Sequence, residues 1–125
     1  MKALLLIAHG SRRQASNDEV VSLADAIAGE MNDEYPIVQA GFLEIVQPSI
    51  TEAIDRCVQL GATEVFVIPF FLAKGRHVSE DVPGDVDQAR QTHGDITITI
   101  TPHIGASPKL KSLIQEIVES SDIST

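Results

Sequence analysis

The chain has little of three things that would each have indicated a particular class of protein. Its single cysteine, Cys57, excludes an internal disulfide bond and every metal cluster held by several cysteines. No apolar run approaches the ~20 residues that a membrane-spanning helix needs. Lysine and arginine number 9 against 18 acidic residues, and the net charge of -9 argues against a general nucleic-acid binder. Met1 leads into an apolar run without a signal-peptide pattern, so we expect a cytoplasmic location.

Several short catalytic motifs are also missing. The sequence contains no metalloprotease helix, no phosphate-binding glycine loop, no dinucleotide-binding fingerprint and no nucleophile elbow. It contains no linker and no low-complexity segment either, so we expect one domain over residues 1–125. With 43% hydrophobic residues, that domain can bury a core of ordinary size.

What the sequence does have is two short apolar runs that stop abruptly before a histidine. Residues 4–8 are uninterruptedly apolar and end at His9, and residues 64–70 lead through a glycine-containing loop to His77. Runs of this length and composition are typical of strands buried on both faces of a parallel sheet. Ligands bind such sheets outside the carboxyl ends of the strands, so both histidines are candidate site residues.

The remaining periodicity predicts four strand–helix units. Strands are expected at residues 4–8, 37–43, 64–70 and 96–101, and helices at about 16–31, 50–60, 79–93 and 108–119. Residues 17–19 offer a cap for the first helix, and residues 120–125 are expected to fray. The last strand alternates strictly between apolar residues and threonine, which is typical of an edge strand.

This alternation predicts an α/β fold with a four-stranded parallel sheet and helices on both faces. The apolar first and third strands should be central, which favours the strand order 2-1-3-4. The order then reverses between strands 1 and 3, and His9 and His77 flank that switch point. Glu44, at the end of strand 2, could reach the same crevice.

Two imidazoles and a carboxylate suit a divalent transition metal, and they also suit proton acceptance near neutral pH. The scarce basic residues gather in the two histidine loops: Arg12, Arg13, Lys74 and Arg76. They would form a local positive patch suited to an anionic ligand, unless they are ordinary solvated loop charges. A phosphate-transferring histidine at position 9 is a weaker alternative.

The other candidate residues have structural interpretations. Cys57 falls on the apolar face of the second helix and is expected in the core. His93 lies in the last turn of the third helix, where a histidine favours the helix dipole or is solvated. His103 follows strand 4 and is a possible rim residue.

Together these elements resemble a known family over nearly the whole chain. The stretches that carry the resemblance are IAHGSR at residues 7–12, FLE at 42–44 with Pro48, PFFL at 69–72, GRH at 75–77 and DVP at 81–83. They are similar to the short form of the CbiX-type chelatases, the sirohydrochlorin cobaltochelatases of cobalamin biosynthesis. Sirohydrochlorin ferrochelatases belong to the same superfamily.

The resemblance implies a flavodoxin-like chelatase half-unit that inserts a divalent metal into sirohydrochlorin. Co²⁺ is the expected metal, with Fe²⁺ or Ni²⁺ as alternatives, and it is a substrate rather than a permanently bound cofactor. By the resemblance, His9 and His77 bind the metal and accept pyrrole protons, and Glu44 matches the acidic residue that follows the second strand.

The resemblance also suggests how an anionic tetrapyrrole would be held. The substrate-binding candidates are Ser11, Arg12, Arg13, Phe71, Leu72, Lys74 and Arg76. The basic side chains would pair with carboxylates of the substrate, and the apolar ones would pack on its ring. The short form is expected to pair as a homodimer, with two copies of His9 and His77 at one cleft. A non-catalytic metal or tetrapyrrole carrier, or an unrelated flavodoxin-like phosphotransfer module, remains an alternative.

Overall fold

The computed structural model describes residues 1–124, apart from the side chains of residues 77–78 and 122–124. The strands are β1 (Lys2–Ala8), β2 (Ile37–Phe42), β3 (Glu64–Pro69) and β4 (Thr97–Ile100). The α-helices are α1 (Gln14–Met31), α2 (Ile50–Gln59), α3 (Val82–Thr92) and α4 (Leu110–Ser124). A π-helical turn (His77–Asp81) leads into α3, and a 3-10 turn (Ile104–Ala106) precedes α4.

The sheet is parallel with the order β2-β1-β3-β4, as the sequence predicted. Residues 3–8 of β1 are all buried, because a strand flanked by two others and packed on both faces has no solvent-facing position. In β4, Thr97 and Thr99 are exposed, as expected of an edge strand. The carboxyl ends of the strands therefore share one edge of the sheet, beside the switch point between β1 and β3.

The hydrophobic core lies between the sheet and the α2–α3 layer. Leu5 and Ile7 of β1 meet Ile54 of α2 and Val86 of α3 in one buried cluster, which also includes Cys57. Helix α2 begins at a complete capping box, in which Ser49 and Glu52 each accept a hydrogen bond from the other's backbone N–H. The predicted core position of Cys57 is confirmed, and burial raises the pKa of its thiol to about 11.

Three helix boundaries differ from the prediction. Helix α1 begins at Gln14, before the predicted start, with Arg13 at the N-cap position and no side-chain cap, and Asn17 lies inside the helix. The third helical segment begins at His77 with the π-helical turn, and Pro83 lies just after this turn, at the second residue of α3. Helix α4 continues to Ser124, since residues 110–124 contain no glycine or proline; Thr125 lies outside the described residues.

Helices lie on both faces of the sheet, as predicted, but they cover the two faces to different extents. Helix α1 covers the other face over β1 and β2. Phe66 and Ile68 point to this same face from β3, in register with Leu4 and Leu6, yet they are only half-buried. Helix α4, which would be expected beside α1, does not cover them. No helix in the described part of the chain is long and apolar enough to cross a bilayer.

Candidate functional site

His9 and Glu44 meet at the carboxyl edge of the sheet. His9 Nε2 lies 2.8 Å from Glu44 Oε1, and both side chains are about half exposed (46% and 54%). The backbone brings them together: the N–H groups of Leu43 and Glu44 donate to the carbonyls of Ala8 and His9, at 3.0 and 3.2 Å. The parallel pairing of β1 with β2 therefore continues past the strand ends as far as the site itself.

Gly10 allows this close approach. Its φ of +97° is a conformation that side chains rarely tolerate. A Cβ atom on Gly10 would lie 2.0 Å from the carbonyl oxygen of Glu44, so any side chain would push the two loops apart. The glycine after His9 is thus part of the geometry that holds the histidine against the carboxylate.

The chain turns sharply just after Glu44. Ile45 has a φ of +71°, and the Val46 N–H donates to the Glu44 carbonyl at 2.7 Å, which are features of a γ-turn. A positive φ at a β-branched residue costs about 1–3 kcal/mol. The surrounding structure stabilises this turn, because Phe42 and Ser49 close the loop by a bridge.

Asn17 fixes the loop that follows His9, and the sequence pattern did not indicate this role. It is the one buried polar side chain among the described residues. Its Oδ1 accepts from the Ser11 N–H at 2.9 Å, and its Nδ2 donates to the Ser11 carbonyl at 2.8 Å. The prediction that Asn17 caps α1 was therefore wrong, because this amide satisfies both backbone groups of a loop residue six positions earlier.

An apolar cavity of about 350 Å³ opens on the α1 side of His9. Val20 and Leu23 of α1 form one wall, and Phe42 and Phe70 line it from the sheet. Phe70 was not among the predicted substrate-binding residues; Phe71 was, but it packs against the core cluster instead. Strand alternation could have indicated which of Phe70 and Phe71 lines the cavity, because neighbouring residues at a strand end point to opposite faces.

An acidic cavity of about 270 Å³ opens on the α3 side of Glu44. Glu80, Asp81 and Asp85 line it together with Glu44. Burial, and secondarily the charge of Asp81, raises the pKa of Asp85 above its usual value. The His9–Glu44 pair thus stands between an apolar cavity and an acidic one.

The loop after β3 carries most of the other predicted site residues. Leu72 is 73% exposed, Lys74 and Arg76 are exposed, and Arg76 Nε lies 3.6 Å from Glu80 Oε2. The backbone of His77 begins the π-helical turn at this edge, but its side chain lies outside the described residues. The prediction that His77 joins His9 at a metal therefore stays a prediction.

The basic patch predicted from Arg12, Arg13, Lys74 and Arg76 consists of exposed side chains in the two loops beside the site. Ser11 is half-buried and lines the apolar cavity, and its Oγ accepts from the Arg13 N–H at 3.0 Å. Among the described side chains, no three His, Cys, Asp or Glu residues are grouped as a metal site.

A second histidine–carboxylate pair lies elsewhere in the molecule. His93 Nε2 is 2.6 Å from Asp55 Oδ1, and the pair joins the end of α3 to α2. Because α3 runs away from the carboxyl edge of the sheet, His93 is at the opposite end from His9, as its structural interpretation implies. His103 is half-buried and precedes the 3-10 turn without capping it.

Comparison with known proteins gives consistent matches along the chain. A family model described as CbiX matches residues 3–121. The chain is 34% identical to a chloroplastic sirohydrochlorin ferrochelatase of Arabidopsis thaliana, over 93% of this chain and 51% of the relative. It is 32% identical to a sirohydrochlorin cobaltochelatase of Sulfolobus acidocaldarius, over 95% of this chain and 91% of the relative.

Solved structures agree with these matches. The sirohydrochlorin chelatase SirB of Bacillus subtilis subspecies spizizenii, in complex with cobalt, superimposes with a TM-score of 0.83 at 25% identity, over 95% of this chain and 50% of that one. A putative CbiX protein of Marinobacter aquaeolei gives a TM-score of 0.78 at 25% identity, over the full length of both chains. The chain thus spans about half the length of some relatives and nearly all of others.

Proposed function

The chain belongs to the CbiX family, and from that premise we propose that it inserts a divalent metal ion into sirohydrochlorin. Curated relatives carry the names sirohydrochlorin cobaltochelatase and sirohydrochlorin ferrochelatase. We propose Co²⁺ as the metal and cobalamin biosynthesis as the pathway. Fe²⁺ for sirohaem, or Ni²⁺ for a related cofactor, is the alternative that the measurement below tests.

The observation that carries the proposal is the His9–Glu44 pair at 2.8 Å, half exposed between two cavities of different character. Metal insertion exchanges two pyrrole N–H protons for one M²⁺, so the site needs groups that take up protons near neutral pH. An imidazole serves this purpose, and a carboxylate bonded to one ring nitrogen orients the ring and stabilises its protonated form. The Glu44 carboxylate is a second group that can accept a pyrrole proton.

The site should bind the metal weakly enough to release it to the macrocycle. Imidazole and carboxylate ligands suit this need, whereas thiolates would retain the ion. Cys57 does not compete, because it is buried in the core and its thiol pKa is raised to about 11. The acidic cavity beside Glu44 would attract a divalent cation to this side of the pair. We assign His77 as the second metal-binding histidine.

The apolar cavity and the basic loops together form a surface that can bind a polycarboxylate ring. Phe70 and Leu23 would contact the macrocycle, and the exposed Leu72 extends this apolar surface across the β3 loop. Arg12, Arg13, Lys74 and Arg76 are exposed beside it and would pair with carboxylates on the substrate rim. A cavity of about 350 Å³ buries only part of a broad tetrapyrrole, so we propose that a homodimer completes the cleft.

The test is metal insertion into sirohydrochlorin, followed by the absorption change of the macrocycle, with Co²⁺, Fe²⁺ and Ni²⁺ in parallel. We expect the protein to exceed the uncatalysed rate, most with Co²⁺. His9→Ala should lower the insertion rate by about 100-fold or more, and Glu44→Gln by about 10- to 100-fold. The ranking of the three metals would decide the pathway.

His93→Ala is the matched control, since it also breaks a histidine–carboxylate pair, but at the other end of the sheet. It should lower thermal stability and leave the insertion rate unchanged. If the parent binds metal and sirohydrochlorin stoichiometrically but never exceeds the uncatalysed rate, the protein is a carrier and the catalytic assignments fail. Phosphorylation of His9 would instead favour the phosphotransfer alternative.

A further inference from the structure

The two edges of the sheet differ in how their backbone groups are occupied. At the β4 edge, Arg90 Nη2 donates to the outward carbonyl of Ile98 at 2.6 Å, so a charged side chain occupies the middle of that edge. At the β2 edge, the Phe42 N–H donates to the Pro48 carbonyl at 2.9 Å, which closes only the last residue of the strand. The two edges are therefore not equally protected against pairing with another strand.

The open part of the β2 edge consists of the outward backbone groups of Val38 and Ala40. The Leu43 N–H donates to β1, whereas the Phe42 N–H points away from β1. Because this direction alternates along a strand, the N–H and C=O groups of Val38 and Ala40 also point away from β1. Within the described part of the chain, no hydrogen bond reaches these groups. They can therefore pair with one further strand.

Each face of the β2 edge has a cavity beside it. On the α1 side, the Val21 cavity of about 290 Å³ is lined by Val38, by Ala40 and by Val21 of α1, which is 43% exposed. On the α2 side, the Arg56 cavity of about 390 Å³ is lined by Gln39 and by Arg56 of α2. Side chains of an added strand alternate between the two faces, so they would enter the two cavities in turn.

Arg56 determines which charge an occupant of this edge should carry. Its side chain is exposed, and among the described residues its guanidinium has no ion-pair partner. Two carboxylates lie close to it on α2, but both are engaged. Glu52 accepts from the Ser49 N–H at 2.8 Å, and Asp55 pairs with His93. An acidic side chain of an occupant would therefore find Arg56 available.

We propose that the β2 edge binds an extended segment of another protein, in which one acidic side chain lies between two apolar ones. The backbone of the segment exchanges hydrogen bonds with Val38 and Ala40. Its two apolar side chains contact Val21 in one cavity, and its acidic side chain pairs with Arg56 in the other. Asp25 lines the Val21 cavity, so acidic side chains directed to that side would be repelled.

A segment bound at this edge would lie beside the turn that follows Glu44. Val46 and Pro48 line the Val21 cavity, and the Val46 N–H donates to the Glu44 carbonyl. A partner that supplies the metal ion or accepts the metallated product would thus be held next to the site. This consequence rests on the proposed function, whereas the docking itself rests only on the β2 edge and its two cavities.

The first experiment titrates the ¹⁵N-labelled protein with a capped synthetic peptide of the sequence Thr-Val-Glu-Val-Thr. At saturation, amide hydrogen exchange of Val38 and Ala40 should slow about tenfold or more, because their N–H groups become hydrogen-bonded. Gln39 is the internal control, since its N–H already faces β1 and its exchange rate should not change. If the peptide does not bind, or binds without slowing exchange at Val38 and Ala40, the proposal fails. If these two amides are already protected without peptide, a second copy occupies the edge and the proposal also fails.

The second experiment reverses the charges of the pair. A peptide with lysine in place of the central glutamate should bind about fivefold more weakly, which is the effect of one exposed ion pair. Arg56→Glu should invert this preference. Lys111→Glu is the matched control, since it makes the same charge change at an exposed position on α4, and it should keep the preference of the parent. Equal affinity of the parent for both peptides, or an unchanged preference in Arg56→Glu, overturns the proposal.

The third experiment tests whether the peptide binds as a strand. Alternate residues of an added strand turn their N–H groups toward β2, so N-methylation should abolish binding at one alternate set of peptide residues and spare it at the other. Loss of binding with both sets, or with neither, is incompatible with strand addition. No metal or tetrapyrrole is present in these three experiments, so their failure would leave the chelatase assignment standing, and a failed insertion assay would leave the docking site standing.

Discussion

The two sides of the site are built differently. On the β1–β2 side, His9 and Glu44 are held by a continuous ladder of backbone hydrogen bonds, by the close approach at Gly10 and by the buried amide of Asn17. On the β3 side, the loop from Phe70 to the π-helical turn is largely exposed, and its charged side chains face solvent.

This difference indicates that the β1–β2 side positions the groups that exchange protons, whereas the β3 side supplies side chains that contact the substrate. Groups that exchange protons must be held at a fixed distance, and a backbone ladder achieves this better than side-chain contacts alone. Groups that bind a large anionic ring gain from exposure, because they remain available until the ligand covers them. We therefore expect substitutions on the β1–β2 side to affect turnover and stability, and those on the β3 side to affect substrate affinity.

The largest effect is expected from Gly10→Ala. The new Cβ would overlap the Glu44 carbonyl, and the φ of +97° is strained for alanine. We expect a loss of about 3 kcal/mol in the free energy of unfolding and about 100-fold in insertion rate. Gly75→Ala is the control in the β3 loop, where no atom lies within 4 Å of the added Cβ. The measurements are denaturant melts and insertion rates. If Gly10→Ala and Gly75→Ala have equal effects, the two sides of the site do not differ as we propose.

Asn17→Ala should have the next largest effect. It leaves the Ser11 N–H and carbonyl without their amide partner, which costs about 1–3 kcal/mol of stability. Because the loop after His9 is then free to shift, we expect the insertion rate to fall about 10-fold. Gln14→Ala is the control on the same helix, since the Gln14 side chain donates a hydrogen bond to the exposed Asp18 carboxylate. A stable variant with an unchanged rate would show that Asn17 does not position the loop.

Neutralising Lys74 should have a smaller effect of a different kind. Lys74→Gln is expected to raise the KM for sirohydrochlorin about threefold at low salt, with kcat unchanged, because one exposed charge pair contributes little. The difference should shrink at high salt, where exposed charges are screened. Lys111→Gln removes an exposed lysine on α4 and serves as control. A fall in kcat instead of a rise in KM would place Lys74 with the positioning residues.

The smallest effect is expected from Asp85→Asn in the acidic cavity. Burial and the charge of Asp81 raise the pKa of Asp85, so its ionised form is disfavoured in the folded protein. The substitution should therefore raise the melting temperature slightly at pH 7, and the gain should vanish as the pH falls through the raised pKa. Asp95→Asn removes one carboxylate at an exposed position and serves as the control. A gain that grows on acidification would contradict this assignment.

Much of the fold was predictable because it rests on local periodicity. The continuous apolar run of β1 and the alternation in β4 indicated a central and an edge strand, and the order β2-β1-β3-β4 confirmed both. The meeting of His9 and Glu44 followed from that order, because adjacent parallel strands bring their carboxyl ends together. The helical spacing that placed Cys57 in the core was likewise sufficient.

Other features depended on contacts between distant parts of the chain. Asn17 looked like a cap, but its partners are the backbone groups of Ser11. The sequence did not indicate that Phe70 lines the cavity while Phe71 packs against the core, because the face to which each points depends on where β3 stops pairing. Substrate contact by Phe71 stays a prediction. The π-helical turn at His77 has no simple sequence signal.

The sequence by itself determined the parallel sheet, its order and the edge where chemistry can occur, because side-chain spacing and strand burial are local properties. Only the tertiary structure decided that Gly10 lets two loops touch, that the Asn17 amide holds the loop after His9, and that α4 leaves Phe66 and Ile68 of β3 half-buried. These features depend on contacts between backbone groups that are far apart in the sequence, and no short stretch of residues specifies such contacts.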